Sequence, residues 1–159
     1  MITKKILCFI LIIVLMMCAC SCGEERSAYE IILEFRAEYG ELGTVYSLGI
    51  PEGETGHCDI SMYEAMLGEN SDSCKDFATI LSANPEKIAE CTVLIAYSEY
   101  DAMLLSERCF ARLDLLASLP IPLDASCLED AFVIRRGKVV VLCAMPNNAL
   151  AAKIFKKIL

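Results

Sequence analysis

A single histidine, His57, stands among 159 residues, so a histidine-dependent triad or metal centre would have to be built on that one side chain. Positive charge is scarce as well. Fourteen lysines and arginines against 22 acids leave a net charge of −8, the wrong balance for a nucleic-acid binder, which needs a basic footprint. The Gly-x-Ser-x-Gly and His-Glu-x-x-His patterns and the glycine-rich phosphate loops do not occur, and no Cys-x-x-Cys redox pair follows residue 22. The longest apolar run extends from Ile6 to Cys20, short of the roughly 20 residues that a spanning helix requires. What is present is a 56% hydrophobic chain, too apolar for disorder and long enough for one core but not for two sizeable domains.

Much of the apolar content lies at the start. Lys4 and Lys5 precede the unbroken apolar stretch Ile6 to Met17, the charged and hydrophobic regions of an export signal over residues 1–22. A short uncleaved anchor is the competing reading. The stretch ends Leu15-Met16-Met17-Cys18-Ala19-Cys20-Ser21-Cys22-Gly23, which resembles a bacterial lipobox, where a cysteine after a small residue is acylated and becomes the mature N-terminus. Cys20 follows Ala19 and Cys22 follows Ser21, so these two are the lipidation candidates, Cys20 first. The expected location is the outer, extracytoplasmic face of a cell membrane, held by the lipid.

Beyond the signal we expect one globular unit over residues 27–159, with a helical and loop segment at 23–76 and a core at 77–159. Ser27 and Glu30 form a capping box for a helix of about twelve residues ending at Gly40. Val45–Leu48 suits a short strand. Residues 49–58 form a loop, and Ser61 and Glu64 make a second capping box. Phe77–Leu81 and Cys91–Tyr97 suit strands, the second apolar on both faces and therefore central. Ser98 caps a long helix with a stripe of Ala102, Leu105, Cys109, Leu113 and Leu116. Strands 131–135 and 138–145 flank the Arg136-Gly137 turn. A last helix, capped by Asn147, presents Leu150, Ile154 and Ile158. The order from residue 77 is β-β-α-β-β-α, an α+β class with a mostly antiparallel sheet and helices on one face.

The block Ala89 to Ser98 leading into the helix with Arg112, the ending Ala131 to Leu142 and the anchored N-terminus are together similar to small uncharacterised lipoproteins of clostridia and their relatives, a family grouped as a domain of unknown function. The resemblance implies a fold and an envelope location. It carries no site residues with it.

Local chemistry is sparse. His57, Cys58 and Asp59 stand consecutively, yet neighbours in a loop rarely converge on one ion; no metal and no cofactor are expected, and no catalytic residue is assigned. Six cysteines follow the signal: Cys58, Cys74, Cys91, Cys109, Cys127 and Cys143. Buried free thiols are the preferred reading. Structural disulfides are the alternative that export would permit, Cys58–Cys74 being the first pair to consider because both lie in loop-like segments. Asp72, Asp76, Glu52 and Glu54 lack calcium-loop spacing. Charge is unevenly placed: residues 131–159 hold Arg135, Arg136, Lys138, Lys153, Lys156 and Lys157 and no acid. They could form a basic patch for lipid headgroups, an anionic polymer or an acidic envelope protein, or could merely balance neighbouring acids. The expected function is therefore a non-catalytic, lipid-anchored interaction module. A small envelope hydrolase or thiol enzyme using His57 or Cys58 is the alternative.

Overall fold

The computed structural model describes residues 25–68, 71–84, 86–119 and 124–159; the signal segment, with Cys20 and Cys22, lies outside them. Among the described residues the order is α1 (Ala28–Tyr39), β1 (Gly43–Ser47), α2 (Ile60–Leu67), β2 (Cys74–Ser82), β3 (Glu90–Ala96), α3 (Glu99–Ala117), β4 (Phe132–Arg136), β5 (Val139–Ala144) and α4 (Asn148–Ile158). The strands form one antiparallel sheet in the order β1-β2-β3-β5-β4. The class is α+β, with β3 at the centre.

The central position of β3 follows from its composition. Every residue from Glu90 to Ala96 is buried, and successive side chains alternate between faces. Cys91, Val93 and Ile95 join Ala78, Ile80, Val141 and Cys143 beneath α1 and α4. Leu94 and Ala96 join Phe77, Val140 and Leu142 beneath α3 and α2. Helices therefore cover both faces, which corrects the expectation of one covered face. A strand that is apolar on both sides needs two layers over it, and the N-terminal helix supplies part of the second. Segment 23–76 is accordingly part of the same body: β1 pairs with β2, and Phe35 of α1 stacks on Phe155 of α4 with ring centroids 4.6 Å apart.

Local signals hold at most element ends. Ser27 and Glu30 make the capping box, and Ser98 accepts from the Asp101 amide. The cap of α2 differs from expectation: Asp59, not Ser61, accepts from the Ser61 and Met62 amides. A carboxylate acceptor at the extended residue outcompetes the hydroxyl two residues on. Strand β2 begins at Cys74 rather than Phe77, so the division at residues 76 and 77 falls inside it. In α4 the buried stripe is Ala151, Ile154, Phe155 and Ile158, while Leu150 is 39% exposed. Asn148 sets that rotation. Its buried amide donates to the Cys127 and Glu129 carbonyls at 2.9 and 2.8 Å, and its oxygen accepts from the Met145 amide at 2.9 Å.

Candidate functional site

The hairpin of β4 and β5 turns at Gly137, whose φ of +56° suits a residue without a Cβ. Strand β4 is one edge of the sheet, and α4 lies over the face to which Phe132 and Ile134 point. Between this edge and the helix lies a groove of about 420 Å³, whose apolar surface comes from Ile134, Ala152 and Leu159, with the buried Phe155 as its floor. Arg135, Arg136, Lys153 and Lys156 line the same groove.

The six cations of the C-terminal segment do not form one patch. Alternation along β4 sends Arg135 to the opposite face from Ile134 and Arg136, and its guanidinium donates to the Glu99 carbonyl at the start of α3, 3.4 Å away. Lys157 pairs with Glu38 of α1, which raises its pKa by hydrogen bond and charge. Lys138, at the hairpin tip, pairs with Glu25 at 3.5 Å. Among the described residues, no acid pairs with Arg136, Lys153 or Lys156. These three border the apolar groove without an acid partner.

The start of the described chain sits at this same end. Glu25 also pairs with Lys75, and the two lysines hold its carboxyl below the usual range. Lys75 reaches it because the β2–β3 register skips that residue, between Cys74↔Ala96 and Asp76↔Ile95; a bulge of this kind re-aims a side chain out of the ladder. Arg26 donates to the Ile158 carbonyl at 2.8 Å, one residue from the Leu159 that lines the groove. Asp76 completes the attachment by accepting from the Ala28 amide at 2.7 Å, which ties the first turn of α1 to β2. Asp76 thus serves a helix start rather than a cation.

The His57 loop is held differently from what catalysis would ask. His57 is exposed, one ring nitrogen lies 2.7 Å from the Ile50 carbonyl, and its backbone bridges Ser47. That contact closes the loop upon itself. Cys58 beside it is buried, which pushes its thiol up to about 11 and leaves almost no thiolate at neutral pH. Cys74 is likewise pushed to about 12 by burial, and Cys91 and Cys109 are raised for the same reason. All six described cysteines are free and buried. The bridge considered for Cys58–Cys74 is not formed, and its premise of two loop positions fails because Cys74 opens β2. No three His, Cys, Asp or Glu side chains come together for a metal among the described residues.

One polar cluster escaped the sequence reading. Glu90, 3% exposed, receives both Nε and Nη2 of Arg112 on one oxygen, at 3.2 and 2.9 Å, while its other oxygen accepts from Thr92 at 3.3 Å. Thr92 in turn meets the Thr79 hydroxyl at 2.7 Å. Only the approach of α3 to β3 brings Arg112 over Glu90, so no local pattern announces the pair. It fastens the long helix to the centre of the sheet. Comparison of the chain with protein-family models, with curated proteins and with solved structures finds no match.

Proposed function

We propose that the protein is a lipid-anchored, extracytoplasmic interaction module of the cell envelope, acylated on Cys20 or Cys22, with the end of its domain that carries the cationic groove turned toward the anionic membrane surface. The observation that carries this reading is the docking of Glu25 and Arg26 at that end, through Lys75, Lys138 and the Ile158 carbonyl. Glu25 lies only three positions after Cys22 and five after Cys20. At about 3.3–3.6 Å per extended residue the tether reaches roughly 10–18 Å, one to two Debye lengths of about 8 Å at physiological salt. Within that range a juxtamembrane cation contributes about 1 kcal/mol of attraction to an anionic leaflet. No catalytic role is assigned to the His57 loop.

Metabolic labelling with a fatty-acid probe tests the anchor. Changing Cys20 and Cys22 together to serine should abolish lipid incorporation and release the protein from the membrane fraction. Undiminished labelling of that variant would overturn the proposal.

A further inference from the structure

The groove between β4 and α4 has a composition that surface attraction alone does not require. A patch that merely neutralises headgroups needs only cations, whereas here Ile134, Ala152 and Leu159 give an apolar lining beside Arg136, Lys153 and Lys156, with Arg135 also bordering it. At about 420 Å³ it falls within the size range of small-molecule sites, about 300–1,000 Å³. Apolar lining with cations bordering it is complementary to an amphiphile that carries one anionic group at the end of a hydrocarbon chain. Arginine and lysine both suit a phosphate oxygen, the first through its forked donors and the second as a point charge.

Arg136, Lys153 and Lys156 are exposed, so their charged heads are open to an incoming anion while their stems lie along the groove. Lys138 and Lys157 of the same segment have found acids, Glu25 and Glu38, while Arg136, Lys153 and Lys156 have none among the described residues. The nearest source of the missing charge is the bilayer to which the proposed anchor holds the domain. We infer that this groove binds an anionic phospholipid of that bilayer, the phosphate resting among Arg136, Lys153 and Lys156 and part of one acyl chain lying over Ile134, Ala152 and Phe155. The inference rests on the proposed membrane-facing orientation and adds a ligand site to it.

The test uses the full chain in phosphatidylcholine bilayers doped with phosphatidylglycerol that carries a photoactivatable acyl chain, with an equally labelled phosphatidylcholine as control. After irradiation, adducts are mapped by mass spectrometry. The expected result is labelling of residues 134–136 and 152–159 by the anionic probe, at least tenfold above the control. Arg136→Gln, Lys153→Gln and Lys156→Gln together should reduce it to the control level. Ala152→Phe, which fills the groove without altering charge, should block it too. Equal labelling by both probes, or anionic labelling that survives the triple substitution, overturns the inference. So does full competition by inorganic phosphate at the probe's own concentration, which would mean that a headgroup alone suffices. Labelling confined to residues near Glu25, Lys75 and Lys138 overturns the lipid site while leaving the orientation intact. Absence of any label from residue 25 onward overturns both.

Discussion

Arg112→Met isolates the polar fastening between α3 and β3. The substitution keeps an unbranched side chain over the sheet but strands the Glu90 carboxylate, which is 3% exposed and retains only the Thr92 hydroxyl at 3.3 Å. Breaking a buried ion pair from one side costs about 3–5 kcal/mol. Arg112 itself is 18% exposed, so water can follow into its place, and the low end, about 3 kcal/mol, applies. Glu90→Gln leaves the guanidinium within reach of solvent and keeps an acceptor for Thr92, so its cost is about 1 kcal/mol. The two changes together should fall short of their sum by about 2 kcal/mol, because each removes the penalty created by the other. Urea unfolding of residues 25–159, followed by circular dichroism, reads these values. With a slope of about 2 kcal/mol per molar, Arg112→Met lowers the midpoint by about 1.5 M. A loss below about 1 kcal/mol, or strict additivity in the double variant, would refute the assignment of Glu90 and Arg112 as a coupled pair.

Phe155→Ala should cost about 3–5 kcal/mol, since Phe155 is fully buried and stacked on Phe35, while Leu150→Ala one turn earlier should stay within about 0.5 kcal/mol; the same urea assay compares them. The six thiols of residues 25–159 should resist alkylation at pH 8 in the native state and all react in denaturant, as burial raises Cys58 to about 11 and Cys74 to about 12; rapid native labelling of Cys58 would revive a thiol-based activity. Glu25 has a depressed pKa from Lys75 and Lys138, so its contribution is present above the ordinary carboxyl value and is lost as pH falls through the depressed one. Amide protection factors at residues 26–28, with rates corrected for their intrinsic pH dependence, should therefore hold at pH 5 and fall on further acidification; a fall already at pH 5 would contradict the pairing. Gly43→Ala should destabilise the β1–β2 edge, because the new Cβ would lie 1.9 Å from the Leu81 carbonyl oxygen; an unchanged midpoint would refute that close approach.

What was legible in the residues was local or periodic. Caps at Ser27 and Ser98, the stripe along α3 and the doubly apolar β3 all rest on interactions between near neighbours or on a fixed repeat. The second helical layer was implicit in β3 but not drawn from it, since the amphipathic pattern of α1 does not say which sheet face it will cover. The rotation of α4 departs from its sequence periodicity because Asn148 is fixed by carbonyls about 20 residues upstream. The cationic segment was visible as a charge count, whereas its division was not. Arg135 and Arg136 are adjacent in a strand and must face opposite ways, a consequence of period two that a linear tally of charge conceals. The groove itself depends on how far α4 stands from an edge strand, and no residue spacing encodes that distance.

The layer of α1 and α4 joins the two ends of the chain. Phe35 meets Phe155, and Arg26 meets the carbonyl of Ile158, contacts that span more than a hundred residues. For a polypeptide that crosses a membrane amino end first, α1 emerges early and then waits, its apolar side uncovered, until almost the last residue has followed. Contacts of such separation close late. Cys91 and Cys143, paired across β3 and β5 directly under this layer, stay accessible to oxidants throughout that wait and are sealed when it ends. On the export proposed above, oxidation of this pair would therefore compete with closure of the layer.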